Sequence, residues 1–173
     1  MIAGAWAVAL TVLFGGTGLY CLLRLVVGRR RGIETVVDVN HVVMSPAMLA
    51  MVWWPATGVA LWALVALFAA GALVFLRHLA SSVDVTARAG ALMHAAMNFG
   101  MVWMLLAMSS LTQTWTAMLS WDVVGSLALA AGWWGLRAVR SRGHRIACSC
   151  HGLATAGTAT MLALMLPGLT SVG

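Results

Sequence analysis

Residues 93–108 read MHAAMNFGMVWMLLAM, an apolar run that is long enough for four turns of α-helix. Counted from His94, methionines occupy offsets 3, 7, 10 and 14 of this run. At about 100° per residue, these offsets stay within roughly 80° of arc around a helix. The stretch therefore predicts a helix that carries one sulfur-lined stripe with a histidine near its start.

The same register of histidine and methionine occurs twice more along the chain. His41 is followed by methionines at offsets 3, 7 and 10, and His151 by methionines at offsets 10 and 14. Of the eleven methionines other than Met1, nine stand at one of these offsets. We interpret this register as the main functional signal in the sequence.

The composition is that of an integral membrane protein. Of the 173 residues, 62% are hydrophobic and only 8% are charged, whereas soluble domains carry about 25% charged residues. Lysine is absent, so all ten basic residues are arginine, and the net charge of +6 reflects membrane topology rather than a nucleic-acid surface. We predict one integral membrane domain over residues 1–173, with membrane lipid and no nucleic acid among its partners.

The hydrophobic segments predict an all-α fold with six transmembrane helices. A tight turn over residues 55–58 separates the second helix from the third, which predicts an antiparallel pair. The six predicted helices cover residues 3–27, 36–54, 59–79, 89–111, 117–138 and 147–169.

Arginines mark alternate connections between these helices. The first, third and fifth connections carry or adjoin all of them, while the second and fourth carry none. By the positive-inside rule, the arginine-bearing connections are cytoplasmic and both termini are outside, in a multi-pass protein of the bacterial plasma membrane. The arginines are Arg24, Arg29, Arg30, Arg31, Arg77, Arg88, Arg137, Arg140, Arg142 and Arg145.

A repeated Leu-Arg pair divides the chain into three helical hairpins. The arginines of these pairs precede the histidines of the stripes by 17, 17 and 14 residues. Each hairpin thus has an inward helix ending in Leu-Arg and an outward helix opening near histidine. We predict that helices 2, 4 and 6 are parallel neighbours around a central axis lined by His and Met.

These stripes predict a Cu(I) site. Thioether sulfur is a soft, neutral ligand that suits Cu(I) and poorly suits Mg²⁺, Ca²⁺ or Zn²⁺, and weak neutral ligands also allow release. Two cysteines of the segment 148–151 (CSCH) add soft ligands at the cytoplasmic end. The predicted metal ligands are His94, Met97, Met101, Met104 and Met108; His41, Met44, Met48 and Met51; and His151, Met161, Met165, Cys148 and Cys150.

Three other features concern the surroundings of the stripes. Asp38 precedes His41 by one helical turn and is placed to orient its ring. Asp122 lies inside helix 5, where a proton relay and a pairing with a hydroxyl both remain open. The small residues of Gly15-Gly16-Thr17-Gly18 predict a close helix contact.

Two alternatives to copper handling remain open. Histidine and methionine are both axial ligands of haem b, so a haem-binding membrane protein is the first. The second is a structural or assembly subunit of a membrane complex, in which the methionines only fill the core. A copper protein would serve transport, storage or delivery, with a cuproenzyme or a copper chaperone as partner. Catalysis is weakly supported, because no nucleophile–base pair, paired carboxylate or nucleotide motif is visible.

In size, composition and His/Met helices, the chain resembles the small arginine-rich, lysine-poor membrane proteins of actinobacteria. They are grouped only as a domain of unknown function, so this resemblance implies a membrane fold and no activity. In chemistry alone, the stripes are similar to the methionine layers of eukaryotic high-affinity copper-uptake transporters. The Met-x3-Met of that family matches Met44–Met48 and Met97–Met101.

Overall fold

The chain is α-helical throughout the residues that the computed structural model describes, which are 4–28, 32–54, 57–110, 114–140 and 145–166. These residues form six helices and no strand, which confirms the predicted all-α fold. The helices are α1 (Gly4–Val27), α2 (Ile33–Trp53), α3 (Gly58–Ser81), α4 (Val85–Ser110), α5 (Thr114–Arg140) and α6 (Arg145–Met165).

Local capping explains why some helices begin earlier than hydrophobicity predicts. Helix α4 begins at Val85, four residues before the predicted start, because the Asp84 carboxylate accepts a hydrogen bond from the Ala87 amide at 2.7 Å. Helix α2 begins three residues early, directly after Gly32, whose φ of 72° favours glycine. The predicted end of helix 6 at residue 169 and the basic segments 29–31 and 141–144 lie outside the described residues.

Four of the described helices, α1 to α4, are long and apolar enough to cross a membrane. Their outward faces agree with that assignment, since large apolar side chains such as Val12, Val27 and Val59 are exposed. These helices are typical of integral membrane proteins. Helices α5 and α6 do not reach the same apolarity, so the count of six spans stays a prediction.

The chain divides into two compact units. The first comprises Met1–Pro55 with Ala131–Gly157, and within it α1 packs along α2. The second comprises Ala56–Ala130 with Thr158–Gly173, and within it α3 packs along α4. The first two predicted hairpins are therefore packed helix pairs.

Gly18 is a point of close contact between α1 and α2. A Cβ atom built on Gly18 would lie 2.6 Å from the Ser45 Cβ and 2.7 Å from its Oγ. Gly15 and Gly16 face open space, so only the third glycine of the predicted contact lies at the helix interface. Close packing of small residues replaces the hydrophobic effect as the attraction between membrane helices, and Gly18 provides it here.

Replacing Gly18 with alanine is expected to destabilise the protein by about 1–3 kcal/mol, because the Ser45 Cβ cannot move without shifting the backbone of α2. Gly16→Ala is the matched control. It adds the same methyl group to open space, so it is expected to be neutral or to stabilise by up to about 1 kcal/mol. Thermal unfolding in detergent micelles compares the two, and equal effects would rule out the steric explanation.

Candidate functional site

Two histidines meet inside the first unit. His41 on α2 and His151 on α6 place Nε2 and Nδ1, respectively, 2.7 Å apart, and their rings stack with centroids 4.6 Å apart and an interplanar angle of 24°. Both side chains are buried. At this separation one nitrogen donates a hydrogen bond and the other accepts it. Two of the three predicted stripe histidines therefore form a direct pair.

The packing of α6 holds this pair in place. Gly152 brings α6 close to α5, since a Cβ there would lie 3.3 Å from the Trp134 Cβ. Gly157 does the same toward α1, where a Cβ would lie 2.8 Å from the Leu13 Cδ2. The Trp134 ring then reaches His151, with centroids 4.9 Å apart. His151 thus contacts both an indole and a second imidazole.

Asp38, one turn before His41 on α2, forms an ion pair with Arg24 of α1. The Nε of Arg24 is 3.3 Å from the Asp38 Oδ2, and the two side chains are 14% and 0% exposed. The pair was not predicted from the sequence, in which Arg24 is one of the arginines that mark a cytoplasmic connection. Asp38, an acid beside the apolar stripe of α2, was the available signal, since a buried carboxylate needs a partner. The proposed orientation of the His41 ring by Asp38 stays a prediction.

The methionines of α2 are buried in the first unit. Met44, Met48 and Met51, which follow His41 at offsets 3, 7 and 10, are each at most 3% exposed. They occupy one face of the helix together with Asp38 and His41. The sulfur stripe predicted for α2 is therefore a buried surface of the protein.

The second unit contains the fuller stripe. His94 on α4 is buried and stacks on Phe75 of α3, with centroids 5.0 Å apart. The Asn98 side-chain amide donates a hydrogen bond to the His94 carbonyl oxygen at 2.8 Å. Four stripe methionines of this unit are fully buried, namely Met97, Met101, Met104 and Met161.

The remaining predicted ligands differ from this pattern. Met165 is only partly buried, and the side chain of Met108 lies outside the described part of the structure. Cys148 is buried and Cys150 is half-buried, but both belong to α6, where residues two apart point to opposite sides. Among the described residues, neither cysteine belongs to a group of three or more His, Cys, Asp or Glu side chains close enough to hold a metal ion.

Methionines outside the register are not buried in this way. Met118 on α5 is 68% exposed, and Met93 is only partly buried. Seven of the in-register methionines are thus buried, whereas the two outside the register are not, and Met165 is the in-register methionine that is only partly buried. Met118 consequently provides a control position for any test of the stripes.

The helices and their composition place the chain among helical integral membrane proteins. A family model described as a domain of unknown function (DUF5134) matches residues 33–165. The match covers most of the chain, which therefore belongs to this family, and it confirms the resemblance to an uncharacterised domain family. No curated protein and no solved structure matches the chain.

The Arg24–Asp38 pair generates a prediction about stability. Arg24→Gln leaves the Asp38 carboxylate buried without its cation, and it is expected to cost about 3–5 kcal/mol. Adding Asp38→Asn removes the stranded charge, so the double variant is expected to be more stable than Arg24→Gln alone. Unfolding in detergent micelles measures both.

Arg77→Gln is the matched control, because Arg77 follows leucine at the end of α3 as Arg24 does in α1, but is exposed. It is expected to change stability by less than about 0.5 kcal/mol. Strictly additive effects of Arg24→Gln and Asp38→Asn would show that the two side chains are not coupled.

Proposed function

We propose that this protein binds Cu(I) through the His and Met stripes of α2, α4 and α6, in the transport, storage or delivery of copper. The observation that carries the proposal is the burial of two imidazoles in direct contact at the start of a buried methionine stripe. Imidazole and thioether together form a neutral, soft-to-intermediate ligand set, which suits Cu(I).

The geometry of the histidine pair supports ligation by a small ion. Metal–imidazole bonds are about 2 Å long, so a trigonal or linear site requires the His41 and His151 nitrogens to separate by roughly 1 Å from their present 2.7 Å. The ring that now donates the hydrogen bond would carry its proton on the other nitrogen. A small rotation of two stacked rings supplies that separation without moving a helix.

The methionines of the second unit support the same chemistry. Leucine fills an apolar helix face as well as methionine does, yet the register in α4 uses methionine at every stripe position from 97 to 104. We propose that His94 and these methionines also bind Cu(I), as the sequence register predicts. We propose that Cys148 and Cys150 help to capture Cu(I) near the start of α6, where His151 also lies.

The two alternatives have different signatures. A bis-histidine haem b places iron between two rings, which would demand both a wider separation and a porphyrin-sized space at His41 and His151. A structural subunit would bind no metal. Elemental analysis after anaerobic purification separates them, since the copper protein contains copper, the haem protein contains iron with a Soret band, and the structural subunit contains neither.

The cellular setting is part of the proposal. The arginine pattern of the chain favours both termini outside and the stripe histidines near the cytoplasmic face. We propose that the protein lies in a bacterial plasma membrane. A copper chaperone or a cuproenzyme is then the partner that would donate or accept the ion.

Replacing Met101 and Met104 together with leucine is expected to lower Cu(I) affinity at least tenfold, because leucine offers no lone pair. Each exchange conserves volume and apolarity, so stability is expected to change by less than about 1.5 kcal/mol per site. Competition with a chromophoric Cu(I) chelator measures affinity. Ag(I), a soft ion without redox chemistry, is expected to compete, whereas Zn²⁺ is not.

Met118→Leu is the control for this experiment, since it makes the same exchange at an exposed position outside the register. It is expected to leave Cu(I) affinity and stoichiometry unchanged. Wild-type affinity and stoichiometry in the Met101→Leu/Met104→Leu protein would show that the stripe serves packing, and the copper proposal would fail.

Reporter fusions test the proposed topology. A phosphatase that is active only outside the cytoplasm is expected to be active when fused to either end of the chain, and a fluorescent protein that matures only in the cytoplasm is expected to stay dark. A fusion in the connection between α3 and α4 is expected to behave in the opposite way, because Arg77 and Arg88 flank it. A fluorescent fusion at either terminus would contradict the topology.

A further inference from the structure

A groove of about 410 Å³ opens between α4 and α5 in the second unit. Its walls are apolar and partly aromatic, and only two of the lining side chains are polar. This volume falls in the range of small-molecule sites in proteins. The lining residues are Ala96, Phe99 and Trp103 from α4, and Leu119, Asp122, Val123 and Ser126 from α5.

Two contacts hold the helices beside the groove. The Trp103 indole Nε1 donates a hydrogen bond to the Ser120 Oγ at 3.0 Å, and Ser120 is fully buried. At Gly100, where a Cβ would lie 3.2 Å from the Leu127 Cδ1, α5 packs closely on α4. The Trp103 ring that lines the groove is therefore anchored by its own polar atom. These two contacts fix the side chains of α4 and α5 that form the groove walls.

Asp122 is the one charged residue of the lining, and it differs from the other aspartates of the chain. Asp38 pairs with Arg24, and Asp84 caps the start of α4. Asp122 has no hydrogen-bond or ion-pair partner among the described residues. The Ser126 hydroxyl, one turn along, donates its hydrogen bond to the Val123 carbonyl oxygen and not to Asp122. A carboxylate on an apolar helix surface is costly unless a cation neutralises it.

We infer that this groove binds an amphiphilic organic cation, with the cationic centre at Asp122 and the apolar body along Phe99, Trp103 and Leu119. The carboxylate supplies the opposite charge, and the two aromatic faces favour an alkylated or delocalised cation over a strongly hydrated one. An uncharged lipid chain would fill the apolar walls but leave the carboxylate unpaired. The site lies on α4 and α5 alone and is independent of copper binding.

Equilibrium binding of radiolabelled tetraphenylphosphonium to the full chain in lipid nanodiscs tests the inference. Saturable binding is expected, and Asp122→Asn is expected to weaken it at least tenfold. Ala96→Phe fills the groove without changing charge and is expected to abolish binding. Glu34→Gln removes an equal charge from the exposed start of α2, and it is expected to leave binding unchanged.

The neutral analogue triphenylphosphine oxide separates charge recognition from simple partitioning, and it is expected not to compete. Equal binding to Asp122→Asn and wild type, or full competition by the neutral analogue, would overturn the inference. A photoreactive amino acid at position 99 that cross-links to a second protein helix would also overturn it, because the groove would then be a protein interface. Cu(I) affinity of Asp122→Asn is expected to equal that of wild type, so the two proposals fail or stand separately.

Discussion

A hydrogen bond between two buried imidazoles is the interaction around which the first unit is arranged. Neither His41 nor His151 is costly to bury while each satisfies the other, and the stacked geometry places both rings within reach of one small ion. The contact requires α6 to approach α1 and α5 closely, which Gly157 and Gly152 permit. A larger residue at either glycine would displace the helix that carries one half of the pair.

Two polar pairs of this unit follow one another along α2. Arg24 neutralises Asp38, and one turn later His151 pairs with His41. Beyond that turn the buried side chains of the helix stripe are methionines, whose sulfur is apolar enough for a core and still has a lone pair. Along this face of α2, the buried side chains therefore change from charged, to neutral polar, to sulfur-containing.

The two proposed sites differ in the chemistry by which each would recognise its ligand. The buried methionines of the stripes are neutral and soft, which is the basis for proposing that they bind a small polarisable ion. The groove of the second unit is open, and its charge comes from Asp122 alone, so it selects by charge and apolar shape. From its position in helix 5 alone, Asp122 could be given no single role. Its place in an apolar groove beside Trp103 is the basis for proposing that it binds the charged centre of a cation.

Periodicity was enough to predict the helices, their number in the described chain, and which face of α2 and α4 is buried. These properties depend on periodicity within one segment, so local pattern is enough to predict them. Three contacts became visible only in the packed helices. His151 presents its Nδ1 to His41, Arg24 pairs with Asp38, and Gly18 rather than Gly15 or Gly16 meets α2. Each of these depends on the rotation of a helix about its axis and on its distance from its neighbour. Hydrophobic helices in lipid leave both free until side chains pack, because every face of such a helix is compatible with its surroundings.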